Sequence, residues 1–299
     1  MPASPITDLP GPIVVVCHDA GAANLLLPLV AAAGRTDLRV HAAGPAAAIA
    51  QARVASALDD GDPAGAIAGA GTCVTGTGWA SGVEHEARVA ARAHRIPSIA
   101  LVDHWVNYRE RFVRDGVEVL PDEIWVTDEH AEDEARRRIP EVPTRRVPNL
   151  YLAEQVAGLP PPETIAQAEL LYVAEPARAT WGRDTPGEFQ ALDYFLASLP
   201  TLDLPRPLTI RLRPHPSDPP GKYDAFVRDD GPLRVVLDGS ADLRGALARA
   251  RWVAGCESFA LVVALEAGRR VYCALPPWAP SCRLPHERLV HLKHLGPAT

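Results

Sequence analysis

The sequence predicts an α/β protein of two domains, each built on a parallel sheet, with the carboxyl ends of both sets of strands facing a central cleft. Three observations carry that expectation. Short apolar runs of strand length alternate with helical stretches over residues 13–138, and the alternation restarts at residue 169. Strands separated by helices are joined by right-handed crossovers into parallel sheets, and ligands of such sheets bind outside the carboxyl ends of the strands. Between the two series, residues 139–162 carry many prolines and little periodicity, which marks an interdomain connection. A length of 299 residues supplies two ordinary domains. The expected division is a proline-rich, disordered lead-in over 1–12, a first Rossmann-like domain over 13–150 and a second over 165–299.

In the first domain, residues 13–17 (Ile-Val-Val-Val-Cys) read as a buried strand, followed by the loop His18-Asp19-Ala20-Gly21-Ala22 and a helix to residue 33. A strand over 38–43 precedes an alanine-rich helix over 46–58, a turn over 59–63 and a weak element over 64–70. The short strand 72–75 empties into Gly76-Thr77-Gly78-Trp79-Ala80-Ser81-Gly82 before a helix over 84–95. That glycine pair lacks the lysine of a P-loop and the spacing of a dinucleotide fingerprint, so it reads as a tight turn. Strand 97–102 ends on Asp103-His104-Trp105, and strand 123–127 is backed by the charged helix 129–138.

In the second domain, strand 169–173 ends on Ala174-Glu175-Pro176 and a helix spans 186–199. Strand 208–212 delivers Arg213-Pro214-His215-Pro216. The two prolines fix φ and hold the residues before them extended, so stiff backbone aims the imidazole. Strands follow at 233–237 and 252–255, with a helix over 240–250 between them. Gly255-Cys256-Glu257-Ser258 then opens the apolar helix 259–267, whose free N–H groups and Ser258 hydroxyl form an anion site. A strand over 271–275 and a last helix over 285–295 complete the reading. Each candidate has a plainer account. His215 could cap its strand, Ser258 could be an ordinary N-cap, and Arg211 and Arg213, which share one strand face, could be ion-paired.

Composition narrows the class. A hydrophobic fraction of 47% with 22% charged residues describes a soluble globular protein. The net charge of −7, with no Lys/Arg run longer than three residues, does not indicate nucleic acid or anionic membrane surfaces as partners. Cys17, Cys73, Cys256, Cys273 and Cys282 are odd in number and show no CxxC or Cys/His ligand spacing, the pattern of reduced thiols in a cytoplasmic protein. The sequence contains no signal-peptide pattern and no apolar run long enough to cross a bilayer.

Arg-Pro-His-Pro after a second-domain strand, with Gly-x-Glu-Ser at a helix start leading to Ala267-Gly268-Arg269-Arg270-Val271, resembles GT-B type glycosyltransferases. Within them it is most similar to bacterial sialyltransferases, Kdo transferases and teichoic-acid glycerophosphotransferases. The resemblance implies that His215 and Ser258 contact the phosphate of a cytidine nucleotide, with Glu175, Glu257 and Arg213 around it. Many UDP-sugar members carry a ribose-binding Glu where Val263 stands here, and Glu266 lies too near the helix end to replace it, which favours a CMP-linked acidic sugar. The resemblance implies no metal: helix dipole and side chains would serve in its place, and no cofactor is implied.

Transfer then needs a base for an acceptor hydroxyl on a surface glycan or its lipid-linked precursor, the latter bringing peripheral membrane contact. Asp19 is the first candidate, Asp103 the second, then His18 and His104; helix capping or solvation is the alternative for each. Trp105 and Tyr108 would provide an aromatic platform for a sugar. Glu84 reads as charge favourable to a helix start, or as a lining residue. Arg109 and Arg111 would receive an anionic acceptor or sit in a solvated, ion-paired loop. A nucleotide-sugar hydrolase or UDP-sugar 2-epimerase on the same fold, with His18 acting on water or a ring proton, is the alternative enzyme. A non-catalytic nucleotide-sugar binder is the alternative outside enzymes.

Overall fold

The structure is a computed structural model that describes residues 3–295 apart from 168 and 178. It divides into two compact units, Met1–Ala153 and Glu154–Thr299.

In the first unit the order is β1 (Ile13–Cys17), α1 (Ala20–Ala33), β2 (Leu38–Ala42), α2 (Pro45–Val54), α3 (Pro63–Ala68), β3 (Thr72–Thr75), α4 (Val83–His94) and β4 (Ser98–Leu101). A hairpin of β5 (Val113–Arg114) and β6 (Val117–Glu118) follows, then β7 (Glu123–Val126), α5 (Glu129–Arg138), β8 (Thr144–Arg146) and α6 (Leu150–Val156), the helix in which the division falls. The six-stranded sheet has the order β2-β1-β3-β4-β7-β8, with all its pairs parallel. All five residues of β1 are buried, as a strand covered on both faces requires. Side chains alternate along it. Ile13, Val15 and Cys17 join the core with α1 and α2, while Val14 and Val16 join Ile67 of α3 and Ala87 and Ala91 of α4. One run of five apolar residues thus specifies a three-layer sandwich.

In the second unit the order is β9 (Glu169–Val173), α7 (Gly187–Ser198), β10 (Leu208–Arg213), β11 (Arg228–Asp229), β12 (Leu233–Leu237), α8 (Leu243–Leu247), β13 (Ala250–Gly255), α9 (Phe259–Glu266), β14 (Arg270–Cys273) and β15 (Leu289–His291). The sheet order is β11-β12-β10-β9-β13-β14-β15, parallel except for the β11–β12 pair. Leu170, Tyr172, Leu192, Phe195, Ile210 and Leu212 build the core on the α7 side.

Four elements differ from the sequence reading. Part of the lead-in is ordered: Pro5–Asp8 forms a 3-10 helix, Ile6 is buried, and Ser4 Oγ donates to Leu29 O at 2.6 Å, tying the segment to α1. Residues 1 and 2 lie outside the described ones. Within 139–162, Thr144–Arg146 pairs in parallel with β7 as a polar edge strand that hydropathy does not mark. The tail expected as a helix over 285–295 instead holds β15, which pairs with β14 from Val271↔Leu289 to Cys273↔His291. The helix read over 240–250 is shorter because Asp242 Oδ1 accepts from Gly245 N at 2.7 Å and so starts α8 at Leu243, while β13 begins at Ala250.

Candidate functional site

Two patches carry the candidate residues, one in each unit, and each sits where its sheet reverses strand order. In the second unit the chain lays β10 and β12 on one side of β9, then returns with β13 on the other. Such a switch point is the usual ligand crevice of an open α/β sheet. The register aligns Arg213, Val173 and Gly255 in one row across the three strands, so the segments bearing His215, Glu175 and Ser258 leave the sheet at one edge. β10 and β13 flank β9 and are therefore roughly 10 Å apart.

Ser258 is the N-cap of α9 with extended φ/ψ of −72° and 156°, but its side chain makes no capping bond. Its Oγ is buried without a hydrogen-bond partner among the described residues, an arrangement that costs about 1–3 kcal/mol unless a ligand meets it. The plainer account, an ordinary cap, is therefore not what the hydroxyl does. His215 is exposed. Its Nδ1 accepts from the Ser217 backbone N–H at 3.1 Å and lies 2.7 Å from Ser217 Oγ. Because a backbone N–H can only donate, Nδ1 bears the lone pair and the neutral ring carries its proton on Nε2, free of that turn and able to donate to an oxyanion.

The remaining phosphate candidates are engaged by the protein itself. Arg213 Nη1 donates to Asp238 Oδ2 at 2.6 Å and to Ser240 O at 3.1 Å, and Arg211 pairs with Glu169. Burial alone would push Asp238 up, yet its bonds to Ser240 and Arg213 hold it below the usual carboxylate range. Glu257 binds Arg283, whose N–H reaches Oε2 at 2.9 Å and whose Nε reaches Oε1 at 2.9 Å. Glu175 Oε1 accepts from Glu257 N at 2.8 Å, which ties the β9 end to the approach to α9. Burial pushes the Glu175 carboxyl up to about 7. Glu175, Glu257 and Arg213 thus shape the patch, whereas His215 and Ser258 offer groups to a ligand.

In the first unit the switch lies between β1 and β3. Asp19 is the N-cap position of α1 but makes no capping bond. Instead its Oδ1 lies 2.7 Å from His18 Nδ1, and its Oδ2 accepts from Trp79 N at 3.0 Å. With Nδ1–H donated to Asp19, the neutral imidazole presents Nε2 as a lone pair. That nitrogen lies over Gly44, where a Cβ would come within 2.4 Å of it; Gly44 also has φ of +53°, a conformation glycine adopts without strain.

Glu84, read from the sequence as helix-start charge, is 1% exposed and acts as a strut between strand ends. It accepts from His18 N at 3.0 Å and from Gly78 N. Burial raises its carboxyl above the usual range, against the lowering effect of those bonds. Asp103 is bound by buried Arg111, whose Nη1 reaches Oδ1 at 2.9 Å and Thr77 O at 3.1 Å. Arg109 sits in the exposed alternative, paired to Glu118 and Glu141. His104 Nδ1 accepts from Trp105 N at 3.0 Å. Of the aromatic residues, Tyr108 is 1% exposed and Trp105 donates to Asp128, whereas Trp79, 53% exposed, has its backbone on Asp19 and lies 5.8 Å from the Arg111 guanidinium.

No family model matches the sequence, and no curated protein matches it. Solved structures do. The glycotransferase of kitacinnamycin superposes with a TM-score of 0.53 at 16% identity over 95% of this chain and 86% of that one. The UDP-GlcNAc 2-epimerase of Methanocaldococcus jannaschii gives 0.58 at 10% identity over 87% and 83%, and S. aureus MnaA with UDP gives 0.55 at 12% over 87% and 78%. The chain has a GT-B fold. At these identities the likeness is one of architecture, two Rossmann-like units in tandem. On the GT-B framework the two switch points hold His215 with Ser258 and His18 with Asp19. Among the described residues no helix is long and apolar enough to cross a membrane.

The sequence pointed to His18, Asp19, His215 and Ser258, because each follows a strand directly. It missed the strut role of Glu84 and the anchoring of Trp79 on Asp19. Glu84 lies 66 residues from the backbone it holds, and no local pattern announces such a contact.

Proposed function

We propose that the chain is a glycosyltransferase moving a sugar from a nucleotide-activated donor, a CMP-linked acidic sugar, to a hydroxyl of a surface glycan or its lipid-linked precursor, in the cytoplasm and without a metal at the reacting atoms. The observation that carries this reading is the unpartnered Ser258 Oγ at the start of α9, on the sheet edge that also bears an outward Nε2–H of His215. Donors and a helix N-terminus of this kind stabilise a phosphate as it takes up charge.

In the step proposed, the bond from the anomeric carbon to the phosphate oxygen breaks and its electron pair stays on that oxygen, which His215, Ser258 and α9 receive. The acceptor oxygen bonds to the anomeric carbon and its proton passes to His18 Nε2. Asp19 holds the opposite ring nitrogen, fixes the tautomer and stabilises the imidazolium that forms. Asp19 thereby becomes a positioning residue, Asp103 belongs with Arg111, and the base is His18. Trp79 offers its face to a sugar ring.

A nucleotide-sugar hydrolase or 2-epimerase is the second reading. It is favoured by a histidine and carboxylate at the end of β1 and by the epimerase and UDP complex among the neighbours. There His18 would act on water or a ring proton.

Product analysis separates the two. The chain is incubated with CMP- and UDP-linked sugars, with and without glycan acceptors, and nucleotide, free sugar and glycosylated acceptor are followed. Transfer predicts nucleotide release matched by acceptor modification, with His18→Ala lowering turnover by about 10²–10⁴-fold and leaving nucleotide binding intact. Free sugar or an epimeric nucleotide sugar formed without acceptor would transfer the assignment to the second reading.

A further inference from the structure

The register of the last two strands sets Cys273 opposite His291 at the carboxyl edge of the second unit. Residues register-paired on parallel strands project to the same face. Cys282 comes to them from the crossover between β14 and β15, giving the spacing Cys-x8-Cys-x8-His. The sequence shows no recognised ligand spacing, yet the fold brings one ligand atom from each residue within 4.8 Å of the others. Cys273 is buried, and Cys282 and His291 are half-buried. Both thiols converge on one acceptor, Cys256 O, at 3.1 Å from Cys273 Sγ and 3.9 Å from Cys282 Sγ. His291 Nδ1 is buried with no hydrogen-bond partner among the described residues.

We infer that Cys273, Cys282 and His291 bind one zinc ion, which fastens the crossover to the sheet. Two thiolates and a neutral imidazole are ligands that select zinc over the hard cations calcium and magnesium. Their charges also balance the dication, so no net charge is buried. Binding displaces one proton from each thiol to solvent and changes no oxidation state, and a water completes the fourth position. Tetrahedral zinc with bonds of about 2.3 Å to sulfur sets donors about 3.8 Å apart, a spacing compatible with ligand atoms that all lie within 4.8 Å of one another.

The crossover explains why such a fastening is needed. Residues 274–288 contain no helix or strand and carry Pro276, Pro277, Pro280 and Pro285. Parallel strands are usually joined through a helix, and irregular connections of this length are uncommon unless functional. This one delivers Arg283 to Glu257, next to Ser258. A metal at Cys282 therefore holds the neighbouring arginine that fixes the approach to α9, away from the reacting atoms.

The test uses the full chain, reduced, stripped with a chelator and titrated with Co²⁺ and then Zn²⁺ alone. One Co²⁺ per chain is expected, with a thiolate charge-transfer band and the visible absorption of tetrahedral cobalt, both removed by Zn²⁺. Cys282→Ser and His291→Gln should each weaken binding at least tenfold, whereas Cys73→Ala, in the other unit, should leave the spectrum unchanged. Wild-type chain that takes up cobalt without a thiolate band overturns the site, as does a band that survives in Cys282→Ser or vanishes in Cys73→Ala. So does a Cys273–Cys282 disulfide, found by mass spectrometry, that persists in reductant and blocks uptake. These readouts are independent of any activity.

Discussion

Glu175 is the residue whose charge bears most directly on the candidate patch of the second unit, since its carboxyl holds the Glu257 N–H beside Ser258. Its carboxyl is displaced from 4.5 to about 7 by burial, corresponding to about 3 kcal/mol. Between those values the folded chain keeps a proton that the unfolded chain has lost. The stability contributed by the protonated form is therefore complete below pH 4.5 and is lost as pH rises through about 7. Glu175→Gln keeps an acceptor for Glu257 N and removes the charge. Urea unfolding across this range should show the variant's advantage growing with pH, to about 2–3 kcal/mol at pH 8; parallel profiles would remove Glu175 as the cause. At this scale the sequence was informative where the geometry is local. Pro214 and Pro216 frame His215, and a strand-to-helix junction exposes Ser258. For Arg213 ion pairing was one of two open readings, and its partner Asp238 comes from the loop after β12; Asp103 meets Arg111 from further along its own connection, eight residues on.

The junction from β13 to α9 depends on Gly255, and the reason is contact. A Cβ there would lie 2.8 Å from Val173 O and 3.2 Å from Leu261 Cδ2, so the strand and helix meet closely only without a side chain. Gly255→Ala should cost about 1–3 kcal/mol by overpacking, measured by chemical denaturation. Gly69→Ala, where a Cβ would meet nothing within 4 Å, should stay within about 0.5 kcal/mol. If both behave alike, the close approach at Gly255 carries no constraint. The elements followed the same division between local and distant causes. β1 was legible because buried β-branched residues specify a central parallel strand. β8 and β15 were not, since edge strands of three residues have no period to read and take their geometry from a neighbour. Cys273 and His291 meet only through that unread pairing.

For the whole molecule, alternating strands and helices were enough to give two parallel α/β sheets, because crossover handedness and burial leave few other topologies. The ligand was less legible. Strand order, which fixes the two switch points, depends on which strand returns to which side of β9 and β1, and a single sequence does not encode that locally. The central claim is that the second unit takes a nucleotide phosphate on His215 and Ser258. Its most direct test is thermal unfolding of wild type, His215→Ala and Ser258→Ala with CMP, CDP, UMP, UDP, GDP and ADP. A ligand at a hundred times its Kd adds about 2.7 kcal/mol. The account predicts that CMP or CDP stabilises the wild type and that each substitution removes most of the shift. Stabilisation by UDP alone would remove the cytidine donor; no shift with any nucleotide, or equal shifts in all three proteins, would contradict the claim itself.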